Sequence, residues 1–253
     1  MKLKYWTLVP LSLFVSFTVF SAQFIIKNQS NFFKHRIFTV SGGPGFINPG
    51  NTQDIYLSPD YDNGYIHQSN KHPVGFGEIY FSLQRDIHPK IANQFGIAFS
   101  GAWMAKVNGQ VWQYNDPLFY NYVYSYNVSS LRLALRDKMI LDQGIGSQMI
   151  RPYFTGSVGI AWNHSYSFIQ SPLSTNIPVT PAFSDRTQNA FTYSAGAGLQ
   201  TQAWNHLVFA VGYEFFDWGR SALATAPGQS INSGLSMSHL YMNTMLFSIS
   251  YTV

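Results

Sequence analysis

The sequence predicts an all-β protein, a transmembrane antiparallel up-and-down β-barrel of eight strands with ten as the alternative, and three observations carry that prediction. Only 10% of the 253 residues are charged, against 46% apolar and 17% aromatic, where soluble domains average about 25% charged. Bulky apolar residues alternate with small or polar ones through much of the chain, which is the period of a strand with one oily face. The final 33 residues, Ser221 to Val253, contain no Asp, Glu, Lys or Arg, so something other than surface charge must solvate them. A soluble enzyme is disfavoured by this composition. Helical membrane spans are disfavoured too, because past residue 22 there is no run of 18 apolar residues.

The N-terminus stands apart. Lys2 and Lys4 precede an apolar run from Leu8 to Phe20 and small residues at Ser21 and Ala22, the layout of a secretory signal peptide. Residues 1–21 are therefore expected to be a signal peptide, cleaved after Ser21 or Ala22, and residues 22–253 a single barrel domain. The absence of Cys excludes disulfides and thiolate chemistry. The basic residues are dispersed singly, so no nucleic-acid partner is expected.

The strands follow in order. A weak first strand runs from His35 to Gly43. Ile79, Phe81 and Leu83 then alternate with Glu78, Tyr80, Ser82 and Gln84, and Phe95, Ile97, Phe99 and Trp103 with Gln94, Gly96, Ala98 and Ser100. Leu131, Leu133 and Leu135 oppose Arg132, Ala134 and Arg136, while Val158, Ile160 and Trp162 oppose Thr155, Ser157 and Gly159. Phe191, Tyr193 and Leu199 share a face against Thr192, Ser194, Gly196, Gly198 and Gln200, and Leu207, Phe209, Val211, Tyr213 and Phe215 against Ala210, Gly212 and Glu214. The last strand shows Met245, Phe247, Ile249, Tyr251 and Val253 against Thr244, Leu246, Ser248, Ser250 and Thr252. A soluble sandwich would turn the bulky face inward and show charge outward. Here the opposite face is Gly, Ser, Thr and Ala, which suits the crowded lumen of a narrow barrel.

Connections alternate in length in the outer-membrane pattern, except that the periplasmic connection 137–150 is longer than the pattern expects. External loops are expected near 46–73, 108–118, 169–189 and 223–233, and periplasmic connections at 86–93, 137–150 and 203–206. The alternative count of ten strands comes from Ile55, Tyr56 and Leu57, which would extend a hairpin within the first loop.

Three stretches resemble a known family. Residues Arg151-Pro152-Tyr153-Phe154-Thr155-Gly156-Ser157-Val158-Gly159-Ile160-Ala161 resemble the fifth strand of small opacity-type and outer membrane protein A-like barrels. Phe191-Thr192-Tyr193-Ser194-Ala195-Gly196-Ala197-Gly198-Leu199 resembles their next strand, and Val211-Gly212-Tyr213-Glu214-Phe215-Phe216-Asp217-Trp218-Gly219 is similar to their Gly-Tyr-Arg-Tyr-x-Asp-x-Gly signature. The resemblance covers roughly Val74 to Val253 and implies an eight-stranded barrel exported to the bacterial outer membrane. It departs at Glu214, where the family has Arg, and at Val253, where an aromatic residue is common, although Tyr251 keeps the alternation of the C-terminal assembly signal.

Glu78, Arg132, Arg136 and Glu214 share the lumen-facing parity. They are expected to form either a salt-bridge plug or a selectivity gate, with Glu214 pairing with Arg132 or, failing that, Arg136. Trp103, Trp162, Trp204 and Trp218, with Tyr120, Tyr122, Tyr124 and Tyr126, are expected in interfacial girdles. The functional expectation is a non-enzymatic barrel serving envelope integrity or surface contact and adhesion, with a porin-like channel for small solutes as the alternative. His67-Gln68-Ser69-Asn70 matches the His-x-Ser-Asn pattern of barrel lipid A deacylases, a remote enzymatic alternative, but lies in the first loop and not on a late strand. No catalytic residue, metal or cofactor is expected. The partners expected are membrane lipid and lipopolysaccharide, the barrel assembly machinery, and a surface or host ligand met through the loops, with the barrel a monomer.

Overall fold

The computed structural model describes residues 35–58, 61–68, 71–141, 150–174, 183–225 and 234–253, so the expected signal peptide at 1–21 lies outside the described residues. The strands are β1 (His35–Ile47), β2 (Gln53–Ser58), β3 (Tyr61–His67), β4 (His72–His88), β5 (Ile91–Gln113), β6 (Tyr120–Leu141), β7 (Arg151–Pro172), β8 (Arg186–Trp204), β9 (Leu207–Asp217), β10 (Ser221–Ala222), β11 (Ser236–Met237) and β12 (Tyr241–Thr252). Eight of them close a ring in the order β1, β4, β5, β6, β7, β8, β9, β12, every neighbouring pair antiparallel. Closure matters because a bilayer offers no water to an unpaired strand edge. The seam between first and last strands is zipped to its end, Ile37 opposite Thr252 and the Val253 amide donating to the Arg36 carbonyl at 2.9 Å.

Side-chain alternation gives the ring its two faces. Outward-facing Phe81, Ile97 and Phe247 are 61%, 53% and 58% exposed, whereas Tyr80, Ala98 and Leu246 beside them are buried. Large apolar residues on every ring strand form a continuous outer band, a surface only lipid can cover favourably.

The first loop is more ordered than the sequence suggested. The hairpin anticipated around Ile55 does form, as β2 and β3, but it does not enter the ring, which stays at eight. β4 pairs with β5 from Gly75↔Trp103 downward, and β3 pairs with β5 from His67↔Gly109 upward. The two act as one interrupted strand and raise the wall beyond the membrane band. Consequently the second external tip is not 108–118: β5 and β6 stay paired up to Trp112↔Tyr120, leaving 114–119, where Tyr114 and Asn115 take positive φ (57° and 53°) and Asp116 caps the short 3₁₀ turn Pro117–Phe119 by accepting the Leu118 amide at 2.9 Å. The long 137–150 connection also shrinks, because β6 continues to Leu141 opposite Ile91; its remainder, 142–149, lies outside the described residues. So do 175–182 and 226–233 of the third and fourth external loops.

Two irregularities change parity above the band. β5 slips register between Ala102 and Ala105, after which odd-numbered Val107 and Val111 face inward. In β7, Ser167 takes φ 56° and turns Phe168 inward, where Ser165 had been. An extra residue re-aims every side chain beyond it. Alternation read straight through would misplace both external ends.

The outer band yields a direct check. Ile97→Arg should cost about 2–4 kcal/mol of stability, the range for a cation on the lipid face near the midplane, by urea unfolding in lipid vesicles. Leu118→Arg, at the exposed external tip, should change stability by less than about 0.5 kcal/mol. Equal losses at both positions would displace the band.

Candidate functional site in the barrel lumen

The inward face of each strand contributes one layer of a filled interior. Nearest the short turns, Lys138 of β6 sets its ammonium 4.2 Å from the centre of the Tyr153 ring of β7, a cation–π contact. The Tyr153 hydroxyl lies over Gly198 and Gly212, paired residues of β8 and β9, where an added Cβ would come within 2.5 and 2.3 Å of that oxygen. Glycine there makes room for the tyrosine.

The charge layer lies above. Arg136 reaches from β6 to both acids, its Nη1 2.5 Å from Glu78 Oε1 on β4 and its Nη2 2.6 Å from Glu214 Oε2 on β9. All three side chains are buried, and hydrogen bonds to ionised partners of this kind are the strong ones. Glu214 is held from its other side by the Ser194 hydroxyl of β8, which donates to Oε1 at 2.6 Å. Ser194 and Ser157 of β7 bond through their hydroxyls, and Arg132 donates from Nη2 to Ser157. With Arg132 donating to Ser157, Ser157 to Ser194 and Ser194 to Glu214, each hydroxyl gives once and accepts once, and a continuous polar chain runs from Glu78 round the lumen back to β6.

Glu214 therefore pairs with Arg136, and the favoured expectation of a Glu214–Arg132 pair is corrected. Arg132 lies two inward positions above Arg136, with Ala134 between them. Its guanidinium sits against the Phe216 ring, 5.2 Å from the centroid, and it meets Glu214 only through the two serines. The serine relay was not singled out in the sequence, although both serines share the lumen parity of Glu214.

Above the charges the interior turns aromatic. Phe76 of β4 packs 4.9 Å from Phe216 and 6.3 Å from Trp218, whose rings stack at 5.8 Å. Trp218 is thus no girdle residue: it is fully buried. Its even number continues the inward series Glu214, Phe216, and residue type misled where parity did not. Tyr122, Tyr124 and Tyr126 are corrected likewise, being buried on the parity of Arg132, with Tyr124 and Tyr126 packed against Phe168, which in turn meets Phe183. Trp103 and Trp162 project from the outer wall on either side of β6, and Trp204 projects at the opposite end, 6.1 Å from Phe209. The C-terminal residues Met245, Phe247, Ile249, Tyr251 and Val253 all face outward and are exposed.

A short ribbon closes the mouth. The Asp217 carboxylate accepts the Gly219 amide at 2.8 Å and lies 2.7 Å from His239 Nδ1. Gly219 takes φ 73°, where a Cβ would strike the Phe191 carbonyl at 2.4 Å, so the Asp-x-Gly of the signature is the turn that sends the chain into the lumen. There Asn163 donates to the Trp218 and Arg220 carbonyls, both at 2.8 Å, and the Ser165 and Ser221 hydroxyls bond at 2.7 Å. β10 pairs with β11, and Ser236 of β11 is clamped to Gln53 of β2 by three hydrogen bonds of 2.7–3.1 Å. The fourth external loop begins and ends as a lid across the barrel.

A closed ring with an apolar outside, a polar and charged inside and its three longest connections at one end has one setting. The protein is an outer-membrane β-barrel. Similar solved structures include Neisserial surface protein A, at 7% identity and TM-score 0.45 over 86% of this chain and 96% of that one. The attachment invasion locus protein of Yersinia pestis is similar at 11% identity and TM-score 0.37 over 87% and 99%, and OprG of Pseudomonas aeruginosa at 14% and 0.39 over 85% and 95%. No family model and no curated protein sequence matches the chain.

Among the described residues no group of three His, Asp or Glu is placed to hold a metal. His67 ends β3 on the raised wall, while Ser69 and Asn70 of the His-x-Ser-Asn pattern lie outside the described residues. Burial holds the His67 imidazole below its ordinary pKa of 6.5, partly opposed by the Asn108 backbone and reinforced by His72. A depressed histidine costs stability only as pH falls, because the unfolded chain takes up its proton first. The hairpin should therefore be less protected at pH 5 than at pH 7 by amide exchange, and His67→Gln should remove that difference.

The pairing has its own test. Arg136→Met should cost about 3–5 kcal/mol, since it strands two buried carboxylates. Its coupling to Glu214→Gln in a double-mutant cycle should be about 1–3 kcal/mol and exceed that between Arg132→Met and Glu214→Gln. A larger Arg132 coupling would reverse the assignment.

Proposed function

We propose that the protein is a closed, non-enzymatic surface barrel that serves envelope integrity and surface contact, and not a pore. One observation supports this above the others: water cannot reach Arg132, Phe216, Trp218 or Met242, each 0% exposed, so the lumen is filled from the charge layer to the ribbon. An eight-stranded lumen is just wide enough for side chains to occupy, and here four charges of balanced sign and three large rings occupy it.

The external end supports the surface role. Ile55, Tyr65, Val111, Phe168, Phe183 and Leu235, drawn from the raised wall and the flanks of the external loops, are buried together in one core. A packed external end presents its surface already shaped, which lowers the ordering cost of contact with a partner. The C-terminal strand, with aromatic Phe247 and Tyr251 outward, fits recognition by the assembly machinery during insertion, and lipopolysaccharide is the neighbour that the outer wall meets.

Planar-bilayer recording decides between this reading and a channel for small solutes. The native protein is expected to give no stable single-channel steps. Reproducible steps that Glu214→Ala abolishes or alters would establish the channel instead.

A further inference from the structure

A cleft of about 330 Å³ opens on the outer face of the raised wall, where β3, β5, β6 and β7 come together. That volume lies at the small end of the range for ligand sites, about 300–1,000 Å³. Its polar lining includes the amides of Gln68, Asn108 and Gln110 and the hydroxyls of Tyr120, Ser125 and Ser171, and among the described residues no Asp, Glu, Lys, Arg or His lines it. Among the described residues none of these six side chains has a hydrogen-bond partner. Val123, Ile169 and the half-buried Tyr120 ring add apolar surface, while inward-facing Gly109 and Tyr124 form the floor.

From this combination we infer that the cleft binds an uncharged saccharide, supplied by the glycolipid that surrounds the barrel. Amides and hydroxyls donate and accept at once, as vicinal sugar hydroxyls require. Tyrosine offers a flat apolar face with a polar tip, which matches the CH-rich face of a pyranose. The absence of charge in the lining disfavours phosphate, sulfate or carboxylate ligands, whose desolvation would go uncompensated.

Position identifies the source. The outward apolar series of β5 ends at Trp103, and Asn108 lies five residues farther, about 16 Å along the strand. Asn108, Gln110, Ser125 and Ser171 sit on the outward parity left by the β5 and β7 irregularities. The cleft therefore opens sideways, above the lipid band, toward the sugars of neighbouring lipopolysaccharide and not upward into the medium. This inference rests on the outer-membrane setting but not on whether the lumen conducts.

The test uses the full chain folded in detergent micelles, with maltotriose, lactose and chitobiose as neutral probes and heparin as the anionic one, followed by saturation-transfer NMR. At least one neutral probe is expected to bind, with Kd raised at least tenfold by Gln110→Ala with Tyr120→Leu and unchanged by Leu118→Ala. Retained heat-dependent migration on gels shows that each variant is folded. Lipopolysaccharide carrying its full saccharide should displace the bound probe, and lipid A alone should not. Binding by heparin only, no binding by any neutral probe, or Gln110 and Tyr120 variants that bind as the native chain does would overturn the saccharide site. Displacement by neither form of glycolipid would overturn the source.

Discussion

Arg136 is the residue on which the interior depends. In a barrel of eight strands the lumen cannot hold bulk water around isolated charges, and yet two carboxylates from nearly opposite strands point into it. One guanidinium, rigid and forked, meets both at 2.5 and 2.6 Å, a geometry that a lysine point charge would not reproduce. With Arg132 the layer is balanced in charge, and the serines of β7 and β8 link Arg132 to Glu214. The bridge ties β4, β6 and β9 across the lumen, alongside the ring contacts of Phe76 and Arg132 with Phe216.

What lies above follows from that neutralised floor. With opposite charges paired in one layer, the interior above can be apolar, and Phe76, Phe216 and Trp218 fill it at ring-contact distances. The turn at Asp217 and Gly219 completes the closure by steering the chain inward instead of outward. A family-like signature thus acquires a physical role in this chain. Its aspartate caps a turn, its glycine takes a left-handed conformation, and the position usually held by arginine carries an acid that Arg136 compensates from another strand.

The outer surface obeys a different constraint at each height. Within the band, lipid demands apolar side chains and a closed backbone. Beyond it, register slips in β5 and β7 and the addition of β3 produce a wall with its own core and a polar outer face. The enclosed lumen and the cleft on the wall are therefore separate features, one built for stability and the other open to the sugars beside it.

Much of this was written locally in the chain. Period-two alternation, sparse charge and the distribution of Gly, Ser and Thr determined the ring, its inside and its outside, because a strand between lipid and a narrow lumen has few compositional choices. Parity placed Glu78, Arg132, Arg136 and Glu214 inside, and it also placed Trp218 and Tyr122 to Tyr126 there, against the habit of assigning aromatics to interfaces. Only the tertiary structure decided which arginine meets Glu214, since cross-barrel height depends on the stagger of strands far apart in sequence. It alone disclosed the slips at Ala102 and Ser167, where one residue reverses every face beyond it. The inward ribbon and its clamp to Gln53 are contacts between residues some 180 positions apart, which no local pattern encodes.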